Sequence, residues 1–170
     1  MNLDLTKQWI SRWEGSRSQV YKDTKGIPTI GVGLNLTTQA AQSAIAALGI
    51  DINSLLDGSL SLTDDQIDQL LTGSINLALV TAHNLVQNFD NLPDNQQLVI
   101  TDLAFNMGQP VFSKFVNTLN FINRQDWPNA AANLQQSAWF HQVGSAADER
   151  GGADIAVLGN TANPQDILGA

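Results

Sequence analysis

The spacing of apolar residues changes twice along this chain, and those changes restrict the fold more than any other feature of the sequence. Leu5, Trp9 and Trp13 recur at i, i+4 and i+8 with Ile10 beside them, so residues 3 to 14 read as a short amphipathic helix that stops at Gly15. From Arg17 to Gly33 the period falls to two. Val20 lies between Gln19 and Tyr21, and Ile30 and Val32 alternate with Thr29, Gly31 and Gly33. The intervening Asp23-Thr24-Lys25-Gly26 has turn chemistry, which makes this stretch a β-hairpin or small sheet. Helical spacing returns after Leu36. Thr37 or Thr38 starts a helix to Leu48 with Gly49 as its stop, and a loop follows. Thr63 and Gln66 form a capping box ahead of Ile67, Leu70, Leu71, Ile75, Leu79 and Val80. Asp94 is expected to cap a third helix through Leu98, Val99, Leu103 and Met107, ended by Gly108 and Pro110. Short helices are expected over 112–123, 127–134 and 137–143, with a loose tail from Gly151 rich in Gly, Asn and Ala. The pattern predicts an α+β architecture, a small sheet lobe near the N-terminus followed by a helical lobe.

A chain of 170 residues, 43% of them hydrophobic, can bury a sizeable core as one compact domain or two small lobes. It has no cysteine, so its stability must come from packing. The N-terminus reads Met1-Asn2-Leu3-Asp4, without the basic residues of a signal peptide, and no apolar run approaches the ~18 residues needed to span a bilayer. Synthesis in the cytoplasm without membrane insertion is the expectation. The net charge of -8 is uneven: Lys7, Arg12, Arg17, Lys22 and Lys25 crowd the first 25 positions, whereas no Lys or Arg occurs from Gly26 to Ser113. Nucleic acid is therefore an unsuitable partner. His83 and His141, with no cysteine, do not make a zinc site. Asp51 and Asn53 hint at a calcium loop, but Leu56 occupies the position that needs glycine. Gly31 and Gly33 lack the third glycine of a dinucleotide fingerprint, and no serine stands in a nucleophile elbow. Neither a metal nor a cofactor is expected.

Chemistry concentrates near the first helix end. Glu14, one of two glutamates, sits there beside Trp13, where the negative end of the helix dipole and apolar neighbours favour a protonated carboxyl. A carboxyl that holds its proton can act as a general acid. Asp23, flanked by Lys22 and Lys25, should stay ionised and can serve as a base. Two carboxyls tuned in opposite directions match the division of labour in glycoside hydrolysis. Thr29 follows Asp23 on the face that alternation shares with Gly31 and Gly33, whose missing side chains would let a sugar ring approach the backbone.

The segment Tyr21-Lys22-Asp23-Thr24-Lys25-Gly26-Ile27-Pro28-Thr29-Ile30-Gly31-Val32-Gly33, with Trp13-Glu14-Gly15 ahead of it, closely resembles the active-site segment of the tailed-phage lysozyme (endolysin) family. The resemblance implies a lysozyme-like fold over residues 1–170, with a small lobe of about 15–60 and a helical lobe of 1–14 and 61–170 joined by a long helix. It implies hydrolysis of the β-1,4 bond between N-acetylmuramic acid and N-acetylglucosamine, with inversion, Glu14 as acid, Asp23 as base and Thr29 holding the water. Weaker likeness in Leu62-Thr63-Asp64-Asp65-Gln66 and Ala104-Phe105-Asn106-Met107-Gly108 extends it along the chain. By the same resemblance Asn35, Phe105, Thr118 and Asn133 would contact the saccharide. Asn106, Trp139, Gln142 and Arg150 would support the cleft, Arg150 as the candidate partner of Glu14. Leu34 stands in place of a histidine, and Ala146 and Glu149 in place of arginines. The expected partner is a peptidoglycan strand, met by a monomer made in the host cytoplasm and acting on the wall. A lytic transglycosylase and an inactive wall-binding module are the alternatives.

Overall fold

The computed structural model describes residues 1–169. Its elements run α1 (Leu3–Glu14), β1 (Arg17–Lys22), β2 (Pro28–Gly31), β3 (Leu34–Asn35), α2 (Gln39–Ala47), α3 (Ile52–Leu56), α4 (Asp64–Leu85), a 3-10 turn (Phe89–Asn91), α5 (Asp94–Phe112), α6 (Val116–Asn123), α7 (Trp127–Gln135), α8 (Ala138–Gln142), α9 (Arg150–Leu158) and α10 (Pro164–Leu168). The class is α+β, a largely helical chain with one small antiparallel sheet. The chain divides into two compact units, Ile10–Asn76 and Met1–Trp9 together with the chain from Leu77 onward. The helices α1 and α4 each contribute residues to both. No helix among the described residues is long and apolar enough to cross a membrane.

In the unit 10–76 the sheet order is β1-β2-β3, with Tyr21 opposite Thr29, Lys22 opposite Pro28 and Ile30 opposite Leu34. The register shifts between Arg17 and Tyr21, and this irregularity breaks the clean in-and-out alternation expected of β1. The expected alternation from Thr29 through Gly33 also ends early. Gly31 and Gly33 both have positive φ, 62° and 71°, so the chain reverses at Val32 and Gly33 and enters β3. Leu62 N donates to Ser18 O at 2.8 Å, which ties the approach to α4 onto β1. The core here is Ile10, Ile30, Ile45, Leu55, Ile67 and Ile75.

Helix boundaries follow their caps. Thr63 N donates to Gln66 Oε1 and Gln66 N to Thr63 Oγ1, a closed capping box. Thr38 rather than Thr37 caps α2, accepting from Ala41 N, and Gly49 with φ 72° ends it. The stretch after Gly49, expected to be loop, contains α3, because Asp51 Oδ1 accepts from Asn53 N and opens a helical turn. Asp94 is the first residue of α5 rather than its cap, and its carboxylate pairs with the N-terminal ammonium of Met1 at 3.0 Å. At Gly108 the backbone leaves helical geometry (φ 65°, ψ 165°), and one further turn runs to Phe112.

In the other unit Leu98, Val99, Ile100 and Leu103 of α5 are fully enclosed, α9 packs beside α5, and α7 packs against α9. The segment from Gly151, expected to be loose, is instead part of this core: α9 is helical and Gly151, Gly152, Ala153 and Asp154 are buried. Small residues read there as flexibility are what close packing requires. A Cβ at Gly152 would collide with the Ala146 carbonyl, and one at Gly151 would come within 2.5 Å of the Gly144 carbonyl oxygen. Gly152→Ala should therefore cost about 1–3 kcal/mol by overpacking against rigid backbone. Thermal unfolding of that variant at wild-type Tm would show that the Ala146–Gly152 packing yields to an added methyl group.

Candidate active site

Three of the residues singled out by sequence lie in the unit 10–76, on the end of α1 and on the first hairpin. Glu14 is the last residue of α1 and half-buried. Gly33 makes room for its carboxyl: a Cβ at that position would stand 3.0 Å from Glu14 Oε2, on a backbone whose φ of 71° already disfavours a side chain. The absence of a side chain on this turn glycine thus leaves room for the carboxyl.

Asp23 does two things at once. Its Oδ1 accepts from Lys25 N and Ile27 N, each at 2.8 Å, and its own N–H donates to Ile27 O at 3.0 Å. One carboxylate oxygen therefore builds the turn between β1 and β2, while Oδ2 carries no hydrogen bond among the described residues. Thr29 is only 4% exposed, and its hydroxyl donates to Ile27 O at 3.0 Å. With its proton committed, that hydroxyl has lone pairs to offer a ligand donor.

Tyr21 had no role in the sequence reading, yet it ties these groups together. It faces Thr29 across the β1–β2 pair. Its phenol is held above its ordinary value first by burial, then by the negative charge of Glu14, with Asp23 adding in the same direction and Arg17 opposing. The Arg17 guanidinium lies 4.6 Å from the ring centroid. The half-buried phenol thus lies within electrostatic reach of both carboxylates. The available signal was the period-two spacing that sets Tyr21 opposite Thr29.

Asn35, also in this unit, uses its Oδ1 to accept from Thr37 N and Thr37 Oγ1, turning the chain toward α2. The remaining candidates belong to the helical unit. Thr118 on α6 is 1% exposed and donates to Asn133 Oδ1 on α7 at 2.8 Å. Both line an open pocket of about 410 Å³ with Lys114, Phe115, Asn117, Gln136 and Ser137. Phe105 on α5 is half-buried and is not among that pocket's lining residues. Trp139 Nε1 donates to Asn106 Oδ1 at 2.8 Å, and Gln142 is exposed at the end of α8. Ala146 and Glu149 bond to each other: Ala146 N donates to Glu149 Oε2 at 2.8 Å ahead of α9.

Arg150 is buried and grips Asp102 with two hydrogen bonds, Nε to Oδ2 at 2.9 Å and Nη2 to Oδ1 at 2.8 Å. Asp102 is fully enclosed, as is Asp154, whose Oδ1 accepts from Trp9 Nε1 at 2.9 Å. This cluster was missed from sequence, although an aspartate inside the apolar run Leu98-Val99-Ile100-Thr101-Asp102-Leu103-Ala104 was a visible signal.

Comparison with known proteins follows the same chain. The phage lysozyme family model matches residues 11–151. "Probable T4-type lysozyme 2" of Dictyostelium discoideum is 28% identical over 147 residues, covering 81% of this chain and 85% of that protein. The "Endolysin" of Salmonella phage P22 is 30% identical over 118 residues, covering 68% and 70%. The "Pre-baseplate central spike protein Gp5" of Enterobacteria phage T4 is 26% identical over 163 residues, 84% of this chain but 26% of that protein.

Proposed function

Because the chain belongs to the phage lysozyme family and is thereby a peptidoglycan-hydrolysing glycoside hydrolase, we propose that it cuts the β-1,4 bond between N-acetylmuramic acid and N-acetylglucosamine with inversion. Glu14 donates a proton to the glycosidic oxygen as the bond breaks. A water on the opposite face of the sugar loses its proton to Asp23 Oδ2 as it attacks. Thr29 orients that water by accepting one of its hydrogens, since its own hydroxyl proton is engaged by Ile27 O. The observation that supports this reading is that the charges of Glu14 and Asp23 both act on Tyr21, which is paired with Thr29 across β1 and β2. Thr118, Asn133, Phe105 and Asn35 are the proposed saccharide contacts. Asn106, Trp139, Gln142 and Arg150 are proposed to support the bound strand, and the enzyme acts as a monomer.

Product analysis tests the reaction. Digests of purified peptidoglycan should contain N-acetylmuramic acid at new reducing ends, first released as the α-anomer by proton NMR. Anhydromuramic ends, or the β-anomer first, would overturn the inverting hydrolysis. Asp23 offers a second check, because its two oxygens are divided between turn and catalysis. Asp23→Asn should lose activity yet keep its stability, as the amide oxygen still accepts from Lys25 and Ile27. Asp23→Ala should lose activity and also about 1 kcal/mol of stability. Equal stabilities for the two variants would contradict the turn role, and an active Asp23→Asn would remove Asp23 as the base.

A further inference from the structure

Tyr21 has no part in the proposed mechanism, yet it shares a sheet face with two of its residues. It lies directly opposite Thr29 across β1 and β2, so the two side chains leave the same face with their Cβ atoms about 5 Å apart. Asp23 N donates to Ile27 O at 3.0 Å, which carries the pairing one step past Lys22. Residues two apart on an extended strand share a face, and Asp23 therefore joins Tyr21 and Thr29 there. The register shift between Arg17 and Tyr21 bends β1, and the Arg17 guanidinium lies 4.6 Å from the centre of the Tyr21 ring. The ring is thus held by a cation on its face.

The hydroxyl at the end of that ring is unused. Among the described residues it has no hydrogen-bond partner, although Tyr21 is half-buried and a phenol so placed ordinarily finds one. The other two groups on this face are acceptors. The Thr29 hydroxyl hydrogen is engaged by Ile27 O, and Asp23 Oδ2 has only lone pairs to offer. Burial, the Glu14 charge and the Asp23 charge together outweigh Arg17 and keep the phenol protonated, so it meets a ligand as a neutral donor. One donor among acceptors fits a ligand that presents both oxygens and hydroxyl hydrogens, which is the character of a sugar ring. Resting on the proposed hydrolase reading, we propose that Tyr21 is a further substrate-binding residue whose hydroxyl donates to an oxygen of the bound sugar, and that Arg17 is the positioning residue that holds its ring. The bond persists from the bound state into the transition state, so it governs binding rather than the chemical step.

The test measures binding in the Glu14→Gln background, where the glycan stays intact. The probe is the tetrasaccharide of alternating N-acetylglucosamine and N-acetylmuramic acid, titrated into the full chain by calorimetry. Adding Tyr21→Phe should raise Kd about three- to tenfold, the worth of one neutral hydrogen bond, with Tm unchanged. In the otherwise wild-type enzyme the same substitution should raise KM to a like extent and leave kcat unaltered. Adding Arg17→Gln should raise Kd about twofold while Tyr21 is present and not at all after Tyr21→Phe, because Arg17 acts only through the hydroxyl. An unchanged Kd on Tyr21→Phe, a loss confined to kcat, or weaker binding accompanied by a lowered Tm would overturn the role of Tyr21. Additive losses would overturn that of Arg17. A wild type that releases no reducing ends from peptidoglycan loses the hydrolase reading, whatever the tetrasaccharide shows. A digesting enzyme whose Tyr21→Phe variant binds as its parent does loses this proposal alone.

Discussion

Glu14→Gln is expected to slow the clearing of permeabilised bacterial suspensions by about 10²- to 10⁴-fold, the span that removal of a general acid produces. Glutamine has nearly the same shape and keeps an oxygen and a nitrogen at the end of the side chain, so the space against Gly33 stays filled. What it lacks is an acidic proton. The leaving sugar oxygen must then depart as an alkoxide or take a proton from solvent, and both routes are slow. The circular dichroism spectrum should be unchanged, so that lost activity is not mistaken for lost fold. A variant that clears suspensions at more than a tenth of the wild-type rate would remove Glu14 from the role of acid.

The second large effect concerns stability. Asp102→Ala should destabilise the chain by about 3–5 kcal/mol, because it takes both bonds that Asp102 supplies away from a buried guanidinium. For a chain of this size that is a fall in Tm on the order of 10 °C. Urea denaturation checks it, and a loss below about 1 kcal/mol would show that Arg150 is satisfied without Asp102. The neighbouring Asp154 gives the same cluster a dependence on pH. Two enclosed carboxyls share one guanidinium, so the cluster is neutral only when one carboxyl holds a proton. Burial raises the Asp154 pKa well above the 3.8 usual for an aspartate, the Asp102 charge raises it further, and Arg150 and the Trp9 bond oppose. A group whose folded pKa is raised contributes stability that is fully present below the unfolded value and is lost as pH climbs through the folded one. The chain should therefore weaken on the alkaline side of about 3.8.

Asp154→Asn isolates that contribution. The amide oxygen can accept from Trp9 and the amide nitrogen can donate to Asp102, as the protonated acid does, with no proton to lose. The variant's advantage over wild type in Tm should grow as pH rises. His83 shifts stability in the same sense, since the hydrogen bond it donates to Asp90 raises its pKa, but its pair is exposed and is present in both proteins, so it cancels. Parallel Tm curves for the two proteins would mean that Asp154 folds as a carboxylate.

Much of the fold was legible because its signals are local. The capping pair of Thr63 and Gln66, the stop at Gly49 and the first helix through Glu14 depend on residues within one turn of each other, and periodicity reports them. The tail from Gly151 was not legible. Gly151 and Gly152 read as flexible in isolation, and only the approach of the Gly144 and Ala146 carbonyls turns them into packing residues. The same holds for α3, where an aspartate that looked like part of a failed calcium loop is a helix cap.

The site divides along the same line. The sequence by itself singled out the residues proposed for acid, base and water-binding chemistry, because spacing and residue type put Glu14, Asp23 and Thr29 on a helix end and one hairpin. Only the tertiary structure decided how each is constrained: Asp23 Oδ1 bound to the turn, the Thr29 proton taken by Ile27, Glu14 seated against Gly33, and Asp102 and Asp154 enclosed with Arg150 across about fifty residues of chain. Local pattern sets what a side chain can do. Which of its atoms remain available depends on partners that only folding brings within hydrogen-bond reach.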